Sequence, residues 1–131
     1  MIDLPSERAK ARIELLLAAA ESRTLDFKRI GKGQATRMME TVCAFANTDG
    51  GIIAIGIGDA KDLKPGAPPS ARLFGIEENP EALDDLQREI MTRFEPAMGG
   101  LRWLRVPCTL HNGQPGHIVM LRVEKSDKVH S

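Results

Sequence analysis

Three carboxylates, Glu21, Asp26 and Asp59, and one amine, Lys28, are the side chains of this sequence best suited to act together. Asp26 and Lys28 lie two residues apart in Thr24-Leu25-Asp26-Phe27-Lys28, where polar and apolar residues alternate with the period of a half-buried strand. Both therefore face the same way. Carboxylate oxygens suit hard cations such as Mg²⁺ or Mn²⁺, and an ion so held can activate water against a phosphodiester. Lys28 would then offset the charge developing on phosphate. The same residues also have plain structural uses: Glu21 can end a helix, Asp26 can pair with Lys28 or Arg29 for well under ~1 kcal/mol, and Asp59 can cap a turn.

Bringing Asp59 to Asp26 requires that the strand around Leu25 lie beside the strand that delivers Asp59. That second strand follows the corner Ala44-Phe45-Ala46-Asn47-Thr48-Asp49-Gly50-Gly51. Apolar positions Ala35, Met38, Met39, Val42, Cys43 and Ala46 recur at helical spacing up to the corner. Asp49-Gly50-Gly51 offers the positive φ angles of a sharp reversal. Ile52 to Ile57 is apolar on both faces, which predicts a strand covered on each side. Gly56 and Gly58 are expected to leave open surface next to Asp59.

The remaining elements follow from period and punctuation. Ala9, Ile13, Leu16, Leu17 and Ala20 predict a helix over Ser6 to Ala20, with Ser6 capping its start. Gly31-Lys32-Gly33 reads as a turn, Ala60 to Ala71 as a mobile loop, and Leu73 to Ile76 as a short strand. Asn79-Pro80 opens a helix whose buried stripe is Leu83, Leu86, Ile90 and Phe94, closed by Glu95-Pro96. Leu101 to Leu110, the His111-Asn112-Gly113 turn and His117 to Val123 predict an antiparallel hairpin. The sum is an α+β fold, an α/β sandwich with a mixed sheet of about five strands and three helices. One domain spans 1–131, read as the N-terminal fragment of a longer protein.

Lysine plus arginine equals aspartate plus glutamate at 18 each, so net charge does not single out a polyanionic partner. Distribution says more. Arg23, Lys28, Arg29, Lys32 and Arg37 gather around a single acid, Asp26, while Glu77 to Glu89 is strongly acidic. Such a basic stretch suits phosphate-backbone contact with DNA or RNA, and solvation alone would explain it equally well. The sequence contains no P-loop, no zinc-spaced histidines among His111, His117 and His130, and few aromatic residues for base stacking. Cys43 and Cys108 sit in apolar patterns, as inert thiols do in a reducing compartment. No run approaches the ~20 apolar residues of a spanning helix, so a cytoplasmic protein without membrane partners is expected.

Glu21-x-x-Thr24-Leu25-Asp26-Phe27-Lys28 followed by Ala44-Phe45-Ala46-Asn47-Thr48-Asp49-Gly50-Gly51 and the strand to Asp59 resembles the Schlafen/AlbA-type DNA-binding domain family over about Glu21 to Val123. The resemblance implies the N-terminal part of a bacterial transcriptional regulator or helicase-like ATPase. In eukaryotic Schlafen relatives the fold is a metal-dependent RNase with a Glu, Glu, Asp cluster. Those positions fall on Glu21, Asp26 and Asp59, with aspartate replacing the second glutamate. The Schlafen enzymes use two lobes, so a homodimer would be needed for a comparable groove.

The leading expectation is a DNA-binding module that contacts phosphates through Arg23, Lys28, Arg29, Lys32 and Arg37 and needs no cofactor. A ribonuclease using Glu21, Asp26, Asp59 and Lys28 with Mg²⁺ or Mn²⁺ is the alternative. A non-catalytic interaction or sensory domain is the third reading.

Overall fold

The computed structural model describes residues 1–31, 35–93 and 100–125. The chain runs β1 (Ile2–Asp3), α1 (Ser6–Ala18), β2 (Leu25–Lys28), α2 (Ala35–Ala46), β3 (Gly51–Ile55), α3 (Pro80–Arg93), β4 (Leu101–Thr109) and β5 (Pro115–Val123). The five strands form one mixed sheet in the order β1-β4-β5-β3-β2. The α+β class, the three helices and the hairpin match the sequence reading. β2 pairs with β3 in parallel, in the register Asp26↔Ile53 and Lys28↔Ile55. The adjacency that Asp26 and Asp59 require is therefore present.

Alternation along the strands sorts the core into two layers. Ile53, Ile55, Val119, Leu121 and Val123 pack against Met38, Met39 and Val42 of α2 and Leu83, Leu86 and Ile90 of α3. Phe27, Ala54, Val106, Ile118 and Met120 face Ala9, Ile13 and Leu16 of α1. β3 is apolar throughout because it serves both layers. Its entry corner is built on Gly50, whose φ of 78° lets its N–H reach the Phe45 carbonyl at 2.8 Å. Gly51 is needed for space instead, since a Cβ there would meet the Phe45 ring at 2.8 Å.

Several boundaries differ from expectation. Pro5, not Ser6, holds the N-cap of α1, and no side chain caps it. β3 stops at Ile55 because Gly56 turns to φ 103°, and Ile57 makes only an isolated bridge to Leu73. No strand forms over Leu73 to Ile76. The long loop instead folds into short 3₁₀ turns at Ala60–Asp62, Pro69–Arg72 and Ile76–Glu78. Gly56 and Gly58 leave no open surface: a Cβ on Gly56 would meet Gly75 at 3.1 Å, and one on Gly58 the Phe74 ring at 2.7 Å. β1, two residues paired in parallel with β4, had no signal of its own in the sequence because so short a strand has no period to detect. Lys32, Phe94, Glu95-Pro96 and His130 lie outside the described residues.

Candidate functional site

Asp26 and Lys28 leave the sheet on the α2 side of edge strand β2, as their registers with Ile53 and Ile55 dictate. They bond each other, Lys28 Nζ to Asp26 Oδ2 at 3.1 Å, in a half-buried pair. Glu21 lies between α1 and β2, near enough to Asp26 for the two carboxyl groups to influence each other. Burial first, then the neighbouring Asp26 carboxyl and the charge of Asp59, push the Glu21 carboxyl above its ordinary range, while Lys28 pulls the other way. Glu21 and Asp26 thus form a carboxylate pair, with Asp59 within electrostatic reach.

Asp59 is otherwise employed. Its Oδ1 accepts the Lys61 N–H at 2.9 Å and caps the 3₁₀ turn that follows. Among the described residues no three His, Cys, Asp or Glu side chains are grouped as metal ligands. Glu21, Asp26 and Asp59 as placed therefore fall short of a cage for Mg²⁺ or Mn²⁺, which needs several oxygens around one point.

The basic stretch is dispersed by the fold. Arg23 precedes β2, is 87% exposed along its side chain and pairs with Asp49 at 3.1 Å. Arg29 follows β2 at the other end, where its guanidinium donates to Glu78 and lies 3.7 Å over the Phe74 ring. Arg37 is exposed on the first turn of α2. Of the four described cations, Arg23, Lys28, Arg29 and Arg37, only Lys28 touches the acidic pair.

Two groups that spacing did not reveal are built into the loop region. Arg72 is 4% exposed; its Nε donates to the Gly58 carbonyl at 2.9 Å and its Nη1 to the Leu17 carbonyl at 3.3 Å. Its guanidinium lies over Phe27 at 4.8 Å, and its Nη2 is buried without a hydrogen-bond partner among the described residues. Arg72 borders a cleft of about 430 Å³ that Arg29, Asp59, Lys64, Phe74 and His111 also line. Glu77 clasps His117, accepting from its backbone N–H at 2.9 Å and bonding its Nδ1 at 2.8 Å. Burial raises the Glu77 carboxyl, but those bonds outweigh it and hold the group below its ordinary value. Arg72 sits in a Pro-Ser-Ala-Arg segment with no apolar period, and Glu77 in an acidic run, so neither stood out locally.

A family model for Schlafen, AlbA_2 matches residues 21–131. The chain belongs to the Schlafen AlbA_2 family. No curated protein matches it. Membership associates this AlbA_2 domain with nucleic-acid-binding or nuclease-like function. Among the described residues no helix is long and apolar enough to cross a membrane. Cys43 and Cys108 are half-buried and not joined in a disulfide; burial, followed by the charge of Glu77, pushes the Cys108 thiol up to about 11. A thiol so raised carries almost no thiolate near neutrality.

Proposed function

We propose that this AlbA_2 domain is a nucleic-acid-binding module, the DNA-binding part of a bacterial transcriptional regulator. The observation that carries the reading is the family match across residues 21–131. Arg37 is exposed, and Arg23 makes only a surface pair with Asp49 that a phosphate can displace, whereas Lys28 and Arg29 are held in less exposed pairs with Asp26 and Glu78. Binding of this kind reads the backbone electrostatically, so it weakens steeply with salt. Fluorescence anisotropy with duplex DNA and with structured RNA, between about 50 and 200 mM salt, tests it. A folded domain that binds neither polymer at the low end of the series sinks the reading.

A second reading, a ribonuclease using Glu21, Asp26, Asp59 and Lys28, is favoured by the influence of the Asp26 and Asp59 charges on the raised Glu21 carboxyl. It predicts RNA cleavage that depends on Mn²⁺ or Mg²⁺ and disappears in Asp59→Ala. Cleavage that survives the substitution would come from a contaminant. An AlbA_2 domain that neither binds nor cuts would favour an interaction or sensory role.

A further inference from the structure

In the antiparallel pairing of β4 with β5, Arg102 stands directly opposite Arg122. Positions of the same parity on these strands, Leu104, Val106, Ile118 and Met120, pack under α1. Both arginines therefore leave the sheet on the α1 side, one row beyond Leu104 and Met120, and both are exposed. Directly opposed residues hold their Cβ atoms about 4.5–5.5 Å apart, and like charges there are destabilising. A protein that keeps two guanidinium groups in this position with one long, exposed counter-charge between them, Glu124, is suited to an external anion.

Internal neutralisation is slight. Among the described residues the Arg102 side chain pairs only with Glu124, at 3.9 Å and half-exposed, and the Arg122 side chain has no ion pair or hydrogen bond. Arg12 extends from α1 to the sulfur of Met120 at 3.8 Å, placing a third guanidinium two residues from Arg122 along the same face. Arg8 lies one turn earlier on the same flank of the helix. The neighbouring depression between β3 and β5 is bordered by Arg122, Lys125, Asp49 and Glu124. Asp49 is already engaged by Arg23, which joins the patch from the N-terminal end of β2.

We propose that the nucleic-acid backbone is bound on the α1 side of the sheet by Arg8, Arg12, Arg102 and Arg122, with Arg23 at the margin. This surface, and not the ion-paired Lys28 and Arg29, is then the main interface, and it rests on the nucleic-acid-binding reading above. Planar guanidinium forks match phosphate oxygens bidentately, and a row of them at strand and helix spacing fits successive phosphates rather than one small anion.

The test is anisotropy with duplex DNA and structured RNA for the parent domain, for Arg102→Gln/Arg122→Gln and for Lys28→Gln/Arg29→Gln. Glutamine keeps much of the stem and removes the charge, and circular dichroism checks each fold. The Arg102/Arg122 pair is expected to lose about tenfold or more in affinity, with a salt slope shallower by roughly two phosphate contacts. The Lys28/Arg29 pair is expected to stay within about twofold of the parent on the same salt series. Arg12→Gln provides an independent arm and should weaken binding in the same direction. Parent-like binding and slope in both Arg102→Gln/Arg122→Gln and Arg12→Gln would overturn this location while leaving the nucleic-acid reading intact. Failure of the parent to bind either polymer overturns both, as does binding only to anionic vesicles or acidic protein.

Discussion

The two faces of the sheet are finished differently. One is closed by α2 and α3, which together bury Ile53, Ile55, Val119, Leu121 and Val123. The other carries one helix, α1, with Arg72 and Leu73 of the loop, over Phe27, Ala54, Val106, Ile118 and Met120, and beyond them the sheet ends in exposed arginines. A single helix of thirteen residues is only about 20 Å long and cannot roof a twisted five-stranded sheet. Part of what it leaves uncovered in this AlbA_2 domain is cationic, at Arg102 and Arg122. The closed face supplies stability; the open end is where the proposed nucleic-acid contact lies.

Truncation separates the faces most sharply. Leu86, fully buried under the two-helix face, should cost about 2–5 kcal/mol as Leu86→Ala, against roughly 1–2 kcal/mol for half-buried Leu104→Ala on the α1 side. Urea unfolding followed by the lone Trp103 measures both, and equal costs would mean that the open face is packed as tightly as the closed one. Next in size is the joint between β3 and the loop. Gly56→Ala forces a side chain onto φ 103° and against Gly75 at 3.1 Å, for an expected loss of about 1–3 kcal/mol. An unchanged midpoint would show that the loop shifts freely.

Two carboxylates then give pH effects of opposite sign. Glu77 is held below its ordinary value, so the stability it contributes is present above that value and is lost as pH falls through the depressed one. Glu77→Gln should cost about 0.5–1 kcal/mol near pH 7 after allowance for solvent screening, and should flatten the acid limb of a stability–pH curve. Glu21 is raised, so its contribution is full below the ordinary value of 4.5 and is lost as pH climbs through the higher folded one. Glu21→Gln is therefore expected to stabilise slightly at neutral pH, by well under ~1 kcal/mol because the residue is exposed. A drop in stability instead would mean that the Glu21 carboxylate has a partner other than Asp26.

Local pattern foretold much of this molecule. The three- and four-residue steps of Met38, Met39 and Val42, the glycine corner after Asn47 and the Asn112-Gly113 turn each report on residues close in sequence, whose backbone preferences act without the rest of the chain. The Asp26–Lys28 face was legible for the same reason, since strand alternation needs only neighbours. Only the tertiary structure decided which charged groups meet. It sent Arg23 and Arg29 to opposite ends of β2, tied Asp59 to the Lys61 N–H, buried Arg72 against Phe27 and set Arg102 opposite Arg122. Those outcomes depend on strand order, hairpin register and where a long loop returns. Such non-local pairings are set by burial of the whole apolar core, and no window of sequence contains them.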